Sequence, residues 1–366
     1  MSHAAPETTA DEPTQVHPLA AFIAGLPKAE LHVHHVGSAA PYTVAALAER
    51  HAGTTQVPAD PALLAEYFTF TDFAHFVTIY LSVVDLVRDP EDVWTLTRDI
   101  GVNQAAMNVR YTELTVTPYS SVTRGISAEA FCEAIEDARR TVEAEHDVTM
   151  RWCFDIPGES GVPAGDLTLD IALRQQPEGL VSFGLGGPEL GVPREWFAEH
   201  FARARAAGLH SVPHAGESTG PQTVWDSLRL LGAERIGHGI HSIQDPELVK
   251  YLAVQGIPLE ICPTSNLRTR SVASLYEHPL PAFVAAGVPV SINSDDPPMF
   301  STDLLREYAV AADLLDLDVS GVADLARAAV RQSFADDERK QRILTEIDAY
   351  VARYDETVAA EGANRP

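Results

Sequence analysis

Eight short apolar, β-branched runs recur along the chain, and they limit the possible folds more than any other feature. They are ELHVH (30–34), VRYTELTVTP (109–118), TMRWCFDIP (149–157), LVSFGLGG (180–187), HSVPHAG (210–216), RIGHGI (235–240), PLEICPTSN (258–266) and PVSINSDD (289–296). Between most of them lie Ala-, Arg- and Glu-rich segments with helical spacing, such as 128–146, 194–208 and 245–256. Eight alternating β and α units in 366 residues predict an α/β protein built as an eight-stranded parallel (β/α)8 barrel of the TIM type. A doubly wound open sheet is the alternative, since a count of units does not establish closure.

The first unit carries an insertion of about seventy residues, expected to be helical. Its aromatic stretch at 66–80 could cover the barrel mouth, which makes Phe73 and Phe76 candidate substrate contacts, or could fill a core between helices. No linker interrupts the chain after residue 18, so 19–366 is expected to form one domain behind a disordered acidic tail, 1–18. The segment 301–366 reads as additional helices on the barrel exterior.

Charge narrows the function. Lys and Arg total 26 against 52 Asp and Glu, a formal charge of −26, which repels nucleic acid and anionic lipid and favours a small-molecule substrate. The three cysteines, at 132, 153 and 262, form no CxxC pair and suit a reducing compartment. The tail has no apolar signal region, and no run of 18 apolar residues suits a membrane span. A cytoplasmic protein is expected, and the sequence sets no oligomeric state.

The polar residues inside the eight runs fall at their C-terminal ends, where a βα barrel builds its active site. His32 and His34 close the first run with i, i+2 spacing and project from one strand face, so both imidazoles can reach one metal, while His35 points the other way. His214 ends the fifth run, His238 lies in the sixth, and Asp295 and Asp296 close the eighth. Three imidazoles and a carboxylate make a donor set suited to one zinc ion with a position left for water. Of the two aspartates, one can ligate and the other contact substrate, because adjacent strand residues face opposite sides; a helix cap before Pro297 and Pro298 would account for only one of them. Glu217, three residues beyond His214, is placed to donate a proton.

Competing motifs test poorly. Nucleotide-binding glycine loops, HExxH and the zinc signature of cytidine-type deaminases are absent. GESTG (216–220) matches GxSxG and names Ser218 as a possible esterase nucleophile, but no HGGG oxyanion segment accompanies it.

In order along the chain, LPKAELHVHHVG, VPHAGE, RIGHG, CPTSN and INSDDP resemble the successive motifs of the adenosine deaminase family of metal-dependent hydrolases. The resemblance implies zinc held by His32, His34, His214 and Asp295. It implies Glu217 as proton donor to purine N1 and His238 as the group that orients or deprotonates the attacking water. Asp296 would bond N7 and the Gly187 backbone would read N3. The implied reaction is hydrolysis of a 6-aminopurine to the 6-oxopurine and ammonia.

Departures from the family pattern point to the substrate. His35-Val36-Gly37 stands where adenosine deaminases carry an Asp that holds the ribose 5′-hydroxyl, and Gly184 begins a segment that commonly begins with Asp. Arg268 and Arg270 add cations after CPTSN. These features look most like the branch acting on aminodeoxyfutalosine, an adenosine derivative with a carboxyaryl ketone at C5′ in menaquinone synthesis, with Arg270 as candidate anion contact. Adenosine deaminase of purine salvage, adenine deaminase and a non-catalytic, growth-factor-like family member are the alternatives.

Overall fold

A computed structural model describes residues 17–71 and 73–363, so the expected tail lies almost wholly outside the described residues. Eight strands, β1 (Lys28–His34), β2 (Val109–Val116), β3 (Thr149–Pro157), β4 (Leu180–Gly186), β5 (His210–Ala215), β6 (Ile236–His238), β7 (Leu259–Ile261) and β8 (Val290–Ile292), lie in chain order. Each is parallel to its neighbour. Both faces are covered, which is why the runs read as nearly continuous apolar stretches; Phe154, Ile156, Phe183, Leu259 and Ile292 are fully buried.

The sheet closes on itself, which removes the open-sheet alternative. Val33 and Asp295 form a parallel bridge: His34 N donates to Asp295 O at 2.9 Å and Asp295 N to His32 O at 3.1 Å. Below that bridge a side chain replaces the backbone ladder. Asn293 Oδ1 accepts from Leu31 N at 2.8 Å and His32 N at 3.2 Å, and Ser294 N donates to Glu30 Oε1 at 3.0 Å.

Strands β6 to β8 have only three residues each, shorter than the sequence runs. The runs turn early for local reasons. Gly239 takes φ +66° directly after β6, Pro263 opens a helix just after β7, and Asn293 diverts the ladder after β8.

The insertion after β1 folds as helices Pro41–Arg50, Pro61–Tyr67, Phe73–Val84 and Pro90–Ala106. The last begins with a capping box, Asp89 against Asp92, and packs on the barrel helix Ala128–Glu145. Helix Val319–Gln332 lies across β8 and β1, covering the seam, with helix Asp337–Ala363 packed on it.

Replacing Asn293 with Ala orphans two buried amides at the seam, each worth about 1–3 kcal/mol. Urea unfolding is expected to show a loss of about 2–6 kcal/mol; a midpoint equal to that of wild type would overturn this account of closure.

Candidate active site

The strand ends bring the predicted histidines together. Ring centroids lie 4.5 Å apart for His32 and His214, 4.7 Å for His32 and His238, and 5.2 Å for His34 and His214. His35 faces outward, its Nε2 2.7 Å from Thr97 Oγ1. Asp295 Oδ1 stands 3.3 Å from His34 Nε2 and 3.7 Å from His32 Nε2. His238 and Asp295 both adopt left-handed backbone, φ +61° and +66°, a strain of about 1–3 kcal/mol each that aims their side chains inward.

Hydrogen bonding fixes which nitrogens face the cluster. His32 Nδ1 donates to Glu260 Oε2 at 2.9 Å, and His214 Nδ1 donates to the Leu185 carbonyl at 3.0 Å. Each neutral ring therefore turns an Nε2 lone pair inward. Among the described residues His32 Nε2 is buried with no hydrogen-bond partner, and His214 Nε2 meets His34 Nε2 at 3.1 Å. Lone pairs packed so closely need a proton or a cation between them. Donor atoms of His32, His214 and His238, and of His32, His34 and Asp295, lie within 4.8 Å of one another, so this donor set fits a divalent metal.

The electrostatics agree. Burial lowers His34 to about 4, and burial with the surrounding imidazoles holds His214 well below the usual histidine range; both stay neutral, as ligands must. Burial would lower His32 too, but the Asp295 and Glu260 carboxylates beside its two nitrogens outweigh it and hold that ring up at about 10. Without a metal, His32 keeps the compensating proton. Glu260 is buried, yet Arg235 keeps its carboxyl below the usual range, with Nε donating to Oε1 at 2.7 Å; Arg235 is anchored in turn by Glu113.

Glu217 sits on a turn built by one carboxylate. Glu189 accepts from Gly216 N at 2.7 Å, Glu217 N at 2.8 Å, Ser218 N at 2.7 Å and Thr219 Oγ1 at 2.7 Å. Arg194 ties the same loop to β5 by donating to His214 O at 2.8 Å. The Glu217 side chain accepts from Thr269 Oγ1 at 3.1 Å and reaches within 3.7 Å of His238 Nε2. Burial, with Asp295 and Glu189 nearby, pushes Glu217 up to about 8, so it is protonated at neutral pH. Asp296 is likewise held well above the carboxylate range by burial and by Asp295, and its Oδ1 has no partner. A Cβ on Gly37 would lie 1.5 Å from that oxygen, so glycine is required there.

These groups open into one cavity. Phe76, Val77, Tyr80, Leu81 and Phe300 form an apolar wall; Thr117, Ser120, Asp155 and Glu159 form a polar one; Gly187, φ +81°, stands between Pro188 and Glu159 in the lining. Phe76 thus reaches the cavity, whereas the Phe73 side chain lies outside the described residues. The structure does not bring Arg270 in. It is exposed at φ +63° just past helix Pro263–Arg268, and the neighbouring Thr269 faces the cavity instead. The Ser218 hydroxyl donates to Glu189 Oε1 at 3.3 Å and bonds no histidine, so a serine nucleophile has no base.

Sequence reasoning missed Asp155, Glu159, Glu189 and Glu260. Asp155 lies two residues before the end of the third apolar run, close to the strand end where the same rule found the histidines. Glu260 lies mid-strand in β7, where no positional signal separates it from a structural carboxylate.

The adenosine deaminase family model matches residues 27–350. The chain belongs to the adenosine deaminase family. It is 62% identical over 346 residues to an aminodeoxyfutalosine deaminase of Streptomyces coelicolor, covering 94% of this chain and 88% of that protein. An adenine deaminase of Cupriavidus necator is 35% identical over 336 residues, 91% of this chain and 94% of the other. The crystal structure of adenine deaminase from Arthrobacter aurescens matches with a TM-score of 0.84 and 32% identity, over 89% of this chain and 99% of that one. The family is metal-dependent, in keeping with the donor cluster at the strand ends. Among the described residues no helix is long and apolar enough to cross a membrane.

Replacing Glu189 with Ala frees the turn that carries Glu217. Misplacement of a catalytic group by about 1 Å costs about 100-fold in rate, and deaminase assays of E189A are expected to show a loss of that order with the metal content unchanged.

Proposed function

We propose that this chain is a zinc-dependent hydrolase that deaminates aminodeoxyfutalosine at C6 of its purine in menaquinone synthesis. The observation that carries the proposal is the 62% identity to aminodeoxyfutalosine deaminase across nearly the whole chain, supported by a cavity that gathers His34, His214, His238, Glu217, Asp295 and Asp296. We place it in the cytoplasm as an enzyme of a small nucleoside, in keeping with the acidic surface.

His32, His34, His214 and Asp295 hold the zinc, one ion per chain. When bound, zinc supplies a Lewis acid that makes water a nucleophile near neutral pH. Glu217, protonated at neutral pH, gives its proton to purine N1 as oxygen adds at C6, which keeps charge from building on the ring. Asp296, a neutral acid facing the cavity, donates to N7, and the Gly187 backbone faces N3. His238 stands beside Glu217 to orient the attacking oxygen. Of the two protons of the attacking water, one passes to the C6 amino group, which leaves as ammonia, and the other restores Glu217, while the proton given to N1 stays on the 6-oxopurine. The apolar wall of Phe76, Val77, Tyr80, Leu81 and Phe300 receives the aryl group beyond the ribose, in a site with no ribose contact from Val36.

The deciding measurement compares kcat/KM for aminodeoxyfutalosine, adenosine and adenine with zinc-replete protein. Aminodeoxyfutalosine is expected to lead by about 100-fold or more; a lead for adenine, the substrate named for the 35% identical relatives, would overturn the proposal.

Three further outcomes test the site. Glu217→Gln is expected to lower kcat by about 10²–10⁴-fold. The wild-type pH profile follows from the acid form being the active one: kcat/KM holds below the Glu217 pKa and falls as pH rises through about 8. Chelation should abolish activity and added zinc restore it.

A further inference from the structure

Behind His238 runs a chain of buried hydrogen bonds whose direction is fixed at its far end. Leu280 N is a backbone amide and can only donate, and it lies 3.1 Å from His278 Nδ1. That nitrogen therefore accepts, and the neutral His278 ring carries its hydrogen on Nε2. His278 Nε2 lies 3.1 Å from Asn266 Oδ1, to which it donates. The Asn266 amide nitrogen is thereby turned toward His238 Nδ1, at 3.2 Å. An amide NH2 only donates, so His238 Nδ1 accepts.

We infer that His278 and Asn266 form a relay that fixes His238 as the Nε2–H tautomer, so that neutral His238 donates a hydrogen bond into the catalytic cavity and does not accept one. His278 touches neither the cavity nor His238, and it is a positioning residue. Its role rests on the proposed place of His238 in the reaction. Two further observations support the direction. The three side chains are 4%, 0% and 1% exposed in the order His278, Asn266, His238, so solvent does not compete for their polar atoms. The nitrogen given the hydrogen is also the one facing carboxylate oxygens, Glu217 Oε2 at 3.7 Å and Asp295 Oδ2 at 3.8 Å. A ring so held orients the attacking oxygen by donating to a lone pair, and at Nε2 it has no lone pair to take a proton from water.

The test is 15N NMR of zinc-loaded, histidine-labelled protein, with His238 assigned by its loss in H238Q. The expected spectrum shows His238 with a protonated Nε2 and a bare Nδ1; the opposite pattern in the wild type overturns the relay. Asn266→Asp replaces the donor with an acceptor and is expected to move the hydrogen to Nδ1. It should lower kcat by about 10–100-fold, with KM and zinc content near wild type. His278→Gln, which can still donate to Asn266, should keep both tautomer and kcat, whereas His278→Phe should lose them. An N266D protein with wild-type tautomer and kcat would overturn the relay. The spectrum needs no substrate, so a protein with the expected tautomer that deaminates no nucleoside would sink the proposed function and leave the relay standing.

Discussion

The parallel bridge between Val33 and Asp295 is the interaction on which the rest depends, because one four-residue segment, 293–296, closes the barrel and also supplies two carboxylates of the site. Asn293 and Ser294 pair with β1 below the bridge, while Asp295 and Asp296 project above it. Strand side chains alternate between faces, so a slip of one residue would exchange the two aspartates and separate the imidazoles from their carboxylate. Closure and chemistry are set by the same register. The helix Val319–Gln332 across the seam then protects the alignment of groups on the opposite rim.

Four buried carboxylates near the site divide into two states according to what they face. Glu189, ringed by backbone amides and Arg194, and Glu260, gripped by Arg235, are held below the usual range although burial alone would raise them. Burial, together with the other carboxylates that face them, pushes Glu217 and Asp296 up. The ionised pair builds the frame: Glu189 shapes a turn and Glu260 orients His32. The protonated pair faces the cavity, where an acid that can donate is needed. Amides and arginines behind the site thus decide which acids in it keep their protons.

The fold and most of the candidate site were legible in the sequence because strand ends of a βα barrel converge whatever lies between them. HxH at 32–34, His214, His238 and the Asp295–Asp296 pair needed only the strand count and the period of two to be brought to one rim. Less legible were groups whose role depends on a partner far along the chain. Glu260 matters through His32, 228 residues away, and Glu189 through amides 27–29 residues on; no local pattern announces either. Arg270 illustrates the opposite error. Its motif neighbour Thr269 faces the cavity, but a left-handed turn at 270 carries the arginine out to solvent, and composition near a motif does not report the direction of a side chain.

Packing against the neighbouring strand also accounts for the glycine at 184. Asp155 on β3 is paired in register with Gly184 on β4. A Cβ on Gly184 would lie 3.2 Å from Asp155 Cβ and 3.0 Å from Cys153 Sγ, closer than neighbouring side chains pack comfortably. The glycine leaves space on β4, and the carboxylate enters the cavity wall from β3 instead, with Thr117 Oγ1 donating to Asp155 Oδ1 at 2.6 Å to hold it. The pocket remains acidic on this side while the carboxylate comes from a different strand. The cavity is therefore walled by Asp155, Glu159, Thr117 and Ser120 on one side and by aromatic rings on the other, and the acids on and just after β3 set the shape and charge of that wall.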